Sequence, residues 1–194
     1  MLVLTYLSGC PCLDLTATLQ LRHRVNPREL LKTPADVTRW LAQAGLAMEV
    51  AADEDGLGRT IALREAIYRS SRGDGGVDDR AFLNAVAAFP PLVPYWTAAG
   101  VENLGDLWQA HSTLAREAIS LLNGPHAARI RECEYPECSR LFCDLSHGGR
   151  RRWCGIGICA TKATSTAYRR RKKQGITTLR QRVPESEDIG AIEN

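Results

Sequence analysis

Residues 129–173 carry four cysteines in two pairs, Cys133-x4-Cys138 and Cys154-x4-Cys159, with fifteen residues between the pairs. No other feature restricts the fold as strongly, because four sulfurs at this spacing invite a single cross-link. A tetrahedral metal ion, two disulfides or an iron–sulfur cluster would each provide one. Structural zinc is the favoured reading. Thiolates fill its tetrahedral shell, and the ion compensates for the small apolar core that so short a segment can build. Disulfides are disfavoured where cellular thiols are kept reduced. A closed four-thiolate shell has no open position for a catalytic water, so the expected metal holds shape. Pro136 would shape the first knuckle, and Gly155 with Gly157 would free the backbone of the second. His147 is close enough in sequence to stand in as a ligand, against the simpler reading of a solvated loop histidine.

Three cysteines remain. Cys143 lies in an apolar run between the pairs and is expected in the core of the finger. Cys10 and Cys12 flank a proline; they read either as buried reduced thiols or as a redox or metal pair with an outside partner.

Charge is distributed unevenly. Residues 1–128 hold 11 basic and 14 acidic side chains, whereas residues 129–173 hold 12 and 4, and no acid occurs from Leu145 to Lys173. A field of one sign concentrated in this way faces an anionic polymer or surface. Arg150, Arg151 and Arg152 precede the second cysteine pair. Lys162, Arg169, Arg170, Arg171, Lys172 and Lys173 follow it on an expected basic helix, ended by Gly175. Compensating the four thiolates would not require so many cations, so these nine residues are the candidate nucleic-acid contacts.

The rest of the chain reads as a mostly helical unit. Residues 2–7 and 12–18 are apolar and β-branched, predicting a short strand or extended pair. Thr33-Pro34-Ala35-Asp36 predicts an N-cap followed by a helix to Gly45. Helical patterns recur over residues 58–70, 78–89 and 106–123, with a proline- and aromatic-rich hairpin or irregular connection between the last two. Asn123-Gly124-Pro125 is the expected boundary.

The opening ten residues lack the basic start of an export signal, and no apolar run approaches the roughly 20 residues of a membrane-spanning helix; a cytoplasmic protein is expected. Phosphate loops, zinc-protease helices and nucleophile elbows are not seen, and Gly56-Leu57-Gly58 and the aspartates of residues 74–79 match neither nucleotide nor calcium loops. Asp14, Arg22, His23, Arg24 and Trp40 are the candidate lining of an effector pocket. Trp96, Trp108 and His111 read as further lining or as core.

At this level of detail the chain resembles a known family. CEYPECSRLFCDLSHGGRRRWCGIGICATKA is similar to the CGNR-type zinc finger. CLDLTATLQLR with PRELLKTPADVTRWLAQAGL is similar to the ABATE domain that precedes this finger in bacterial regulators. Where the name-giving tetrad has Cys-Gly-Asn-Arg, this chain has Cys159-Ala160-Thr161-Lys162, which retains the ligand and a positive charge. The resemblance implies an α+β protein: a mostly helical sensor-like domain with a short sheet or hairpin (1–125), then a small treble-clef-like zinc finger with its basic helix (129–174); the acidic stretch beyond it, 175–194, reads from its own composition as a disordered tail. The resemblance also implies a non-enzymatic transcription regulator that binds double-stranded DNA. A single finger reads few base pairs, so a homodimer is expected. An interaction adapter is the alternative, and a small-molecule-modifying enzyme a weaker one.

Overall fold

The computed structural model describes residues 6–47, 50–166, 168 and 169. Among these residues lie the helices α1 (Pro11–Thr16), α2 (Pro34–Gln43), α3 (Glu54–Arg72), α4 (Val77–Ala87) and α5 (Leu107–Asn123), with a further helical stretch after residue 160. Six short strands form three antiparallel ribbons: β1 (Leu19–Gln20) with β2 (Arg28–Glu29), β3 (Val93–Thr97) with β4 (Gly100–Leu104), and β5 (Ile130–Glu132) with β6 (Leu141–Cys143). The chain is therefore α+β and mostly helical, as expected.

Helix boundaries follow local chemistry. Asp36 accepts the Lys32 and Thr33 amides at the start of α2. Asp106 accepts the Gln109 amide at 2.9 Å while Gln109 Oε1 accepts the Asp106 amide at 3.0 Å, a reciprocal box that opens α5. Asp53 caps α3 through the Gly56 amide, four residues ahead of the expected start. The glycine pair thus lies inside a helix. A Cβ on Gly56 would stand 2.4 Å from Leu107 Cδ2, so this residue lets α3 and α5 meet. α3 ends on Gly73 in the left-handed region, φ 82°.

One expectation fails. Residues 12–18 are not a strand; Pro11–Thr16 is α1, opened by Pro11 at its first position. Cys12, Leu13, Asp14, Leu15 and Thr16 are all buried, so α1 lacks a solvent face and its apolar run carries no helical period. It sits against α3, α5 and β6.

β6 explains how the C-terminal segment is attached. Its side chains alternate between two apolar clusters: Leu141 and Cys143 join the main core with Leu13, Trp40 and Leu114, while Phe142 packs with Cys133, Cys154 and Cys159. Cys143 therefore belongs to the main core and not to that of the finger. Its amide also donates to Ser8 O at 2.8 Å, extending the ribbon with the N-terminal segment.

Candidate metal centre and its basic surroundings

The β5–β6 ribbon presents the first cysteine pair. Cys133 directly follows β5, its amide donating to Arg140 O at 3.0 Å, and a tight turn carries Cys138, whose amide donates to Tyr135 O at 2.8 Å. The second pair is delivered by a π turn (Ile156–Ala160), after which residues 161–166, 168 and 169 are helical. Glu134 N–H donates to Arg152 O at 3.0 Å and Cys154 N–H to Cys133 Sγ at 3.4 Å, locking the two knuckles together.

The four sulfurs all lie within 4.8 Å of one another. Cys138 Sγ is 3.8 Å and Cys159 Sγ 3.6 Å from Cys154 Sγ. A tetrahedron with Zn–S bonds of about 2.3 Å has sulfur–sulfur edges of about 3.8 Å, so the donor set fits zinc in both identity and spacing. Its charge makes the same demand. Hydrogen bonds from the Cys138 and Cys154 thiols hold Cys133 down at about 2, and the contact with Cys133 pushes Cys138 up to about 12 and Cys154 higher still. Without a cation one sulfur of the group ionises readily; four thiolates together require a divalent ion. All seven cysteines are free thiols, which removes the disulfide reading. His147 lies exposed in its loop, outside this group.

Asp144 organises the approach to Cys154. Its carboxylate accepts the Ser146 hydroxyl at 2.6 Å, the Ser146 amide at 3.1 Å and the Arg151 amide at 2.8 Å. These bonds hold its pKa below the usual carboxylate range. Arg151 then turns inward. Its guanidinium donates to Trp153 O, Leu7 O and Cys154 O and stacks over the Phe142 ring at 4.7 Å. Its Nε and Nη2 donors thus hold the second knuckle, a role apart from the nucleic-acid contact expected of it.

The other expected contacts differ in availability. Arg150, Lys162 and Arg169 are exposed. Arg152 is exposed too, but pairs with Glu134 at 2.6 Å beside the Trp153 ring. Arg170, Arg171, Lys172 and Lys173 lie outside the described residues.

The expected effector pocket is not assembled. Asp14 and Trp40 adjoin a cavity of only about 10 Å³, far below the volume of a ligand. Trp40 is a core residue, 1% exposed, and Asp14 pairs with Arg140 at 3.0 Å. Arg22 is bound to Glu65 at 2.7 Å. Its amide donates to Ser139 Oγ, His23 Nε2 lies 3.2 Å from Cys138 O, and Arg24 pairs with Glu137 at 3.6 Å. These polar residues thus dock the β1–β2 loop onto the first knuckle. Leu21 starts that loop at φ 56°, a conformation costing a side-chain-bearing residue about 1–2 kcal/mol.

Larger clefts lie elsewhere. One of about 550 Å³ opens between the β1–β2 ribbon and the sulfur group, lined by Leu19, Leu21, Arg28, Tyr135, Cys159 and Lys162 among others. A second, of about 690 Å³, is apolar and lined by Phe82, Val86, Phe89 and Trp108 beside Arg59. Trp108 meets the cavity-lining expectation, whereas Trp96 is 84% exposed on β3 and His111 is buried against Thr60. Sequence reasoning missed Arg28, Tyr135 and Arg140. The single usable signal was the placement of Tyr135 and Arg140 within two residues of a cysteine.

Comparison with known families agrees with this geometry. The model of the ABATE family, described as "putative stress-induced transcription regulator", matches residues 9–125. That of the CGNR zinc finger matches residues 129–172. A search of curated proteins returns no match.

Proposed function

Since the chain belongs to the ABATE family, its ABATE region being followed by a CGNR zinc finger, we propose that this zinc-binding regulator acts in the cytoplasm by gripping double-stranded DNA through its finger. The observation that carries this reading is the sorting of cations around the metal centre. Arg151 is turned inward, while Arg150, Lys162 and Arg169 stand exposed in a stretch without a single acid. The metal sets the angle at which the helix after Cys159 leaves the finger, and its cations take phosphate contacts that position without specifying. The two regions occupy 1–125 and 129–174, and the protein acts by binding and not by turnover.

The effector enters the 550 Å³ cleft, in this reading, because its walls come from both matched regions and Arg28 and Lys162 offer positive charge to an anionic ligand. A ligand there bears on the finger directly. Two copies associate through the β3–β4 ribbon, which leaves Val93, Tyr95, Trp96 and Val101 between 55% and 84% exposed. A dimer would read two half-sites.

Fluorescence anisotropy with labelled genomic duplexes, over a series of salt concentrations, tests the central claim. Affinity falling steeply and linearly on a log–log scale is expected. Retention on an acidic protein in preference to duplex DNA would overturn it and favour the adapter.

A further inference from the structure

Three metal-ligating side chains meet at a second place, outside the four-cysteine centre. Cys10 precedes α1, Pro11 opens it and Cys12 follows, which sets the two sulfurs 3.5 Å apart. Glu117 reaches the same point from α5. Its Oε2 accepts the Cys12 amide at 2.7 Å, and a carboxylate oxygen and both sulfurs lie within 4.8 Å of one another. Cys12 is fully buried while Cys10 and Glu117 are half-buried, so the group is closed on the core side and open on the other.

Glu117 differs in its surroundings from the ion-paired carboxylates nearby. Glu65 is met by Arg22 and Arg64, Glu29 by Arg64, and Asp14 by Arg140. Glu117 forms no ion pair with any described residue. Burial lifts its carboxyl above the ordinary range, and Asp14 adds to the effect. Two thiols and an unpaired carboxylate in a half-buried recess are an electron-rich set for which the described residues supply no ion-pair partner.

We propose that Cys10, Cys12 and Glu117 form a second metal site, taking a borderline divalent transition ion such as Zn²⁺. Sulfur donors select such an ion over Mg²⁺ or Ca²⁺, and two thiolates with one carboxylate leave its charge near balance. Three protein ligands leave a fourth position, which faces solvent here, in contrast to the closed shell of the finger. Binding releases the thiol protons of Cys10 and Cys12. An ion held by Cys10 also stiffens the segment whose Ser8 carbonyl accepts the Cys143 amide of β6, so occupancy is felt at the strand that supports the finger.

Metal content decides the matter. The reduced full-length chain, dialysed against buffers of rising free Zn²⁺, is expected to reach two zinc ions per chain by emission spectroscopy. Cys10→Ser and Glu117→Gln should each stop at one with unchanged far-UV circular dichroism. These two positions carry the test because Cys12 is too buried to alter without disturbing the core. Wild type stopping at one ion, with none in Cys154→Ser, would overturn the second site and leave the finger standing. Both variants still reaching two would overturn it as well. Co²⁺ in place of zinc should give a weaker sulfur-to-metal charge-transfer band for the second equivalent than for the first.

Discussion

Arg140 donates to Asp14 Oδ1 at 3.0 Å across 126 residues of sequence, and the two are only 8% and 6% exposed. Asp14 also accepts the Leu7 and Ser8 amides, at 3.0 and 3.1 Å. Even so, burial keeps its pKa above the ordinary carboxylate value. The pair joins α1, in the middle of the main core, to the first zinc knuckle, and it makes the two regions mechanically dependent.

Arg140→Met should therefore destabilise the protein by about 3–5 kcal/mol in urea denaturation, because it leaves a buried carboxylate without its partner. Asp14→Asn added to it should recover part of the loss. A double-mutant cycle with no coupling energy would show the pair to be idle.

Zinc removal should be felt far from the zinc. Leu141 and Cys143 belong to the main core and Phe142 to that of the finger, so a chelator should lower the melting temperature of the whole chain. Cys138→Ser or Cys154→Ser should abolish stoichiometric metal at the finger; retention of it would show that other ligands hold the ion. Acidification should release the metal as the thiolates take up protons.

His111 predicts a pH effect of definite sign. Thr60 donates its one hydroxyl proton to Gly56 O, so the His111 Nε2–H donates to Thr60 Oγ1, at 2.8 Å, and the ring is neutral. Burial, with Arg59 nearby, pushes its pKa down from 6.5 to about 4, while Asp106 pulls weakly the other way. Between these values the unfolded chain binds the proton and the folded chain does not. Stability is full above pH 6.5, falls as pH drops towards 4 and then levels, a loss of about 3 kcal/mol at most. His111→Gln should flatten this difference in denaturation curves taken across that window.

For DNA binding, Arg150→Ala with Lys162→Ala and Arg169→Ala should leave the fold intact and weaken affinity for all sequences. The log–log salt slope should shrink by about 0.9 for each phosphate that the variant leaves unneutralised. Arg151→Ala should behave differently, loosening the finger and its metal, since its guanidinium holds Leu7, Trp153 and Cys154 carbonyls. An unchanged salt slope in the triple variant would assign binding to other residues.

Trp96→Glu places a charge at the most exposed aromatic of the β3–β4 ribbon. It should convert a dimer to a monomer in analytical ultracentrifugation while leaving the melting temperature of the monomer unit nearly unchanged. A wild-type chain that sediments as a monomer at all concentrations would remove the dimer.

Features that depend on near neighbours in the chain were legible in the sequence. The metal ligands announced themselves by spacing, α2 by Thr33 at its start and α5 by its apolar helical period, while the β3–β4 ribbon was one of two readings of its proline- and aromatic-rich stretch. α1 was not legible, because a six-residue helix buried on every side has no polar face to mark its period. The direction of a side chain was equally hidden. Arg150, Arg151 and Arg152 are identical letters, yet one is exposed to solvent, one is bonded to three carbonyls and one is paired with Glu134. Asp14 and Arg22 looked like ligand-binding groups and are ion-paired supports. Composition and spacing determined that this chain would build a sulfur-held metal site beside a helix that carries Lys162 and Arg169. Tertiary structure alone decided which cations face outward, and that Glu117 meets Cys12 across 105 residues. Local periodicity encodes which face of an element is apolar, whereas partners distant in sequence are chosen only when the core closes around them.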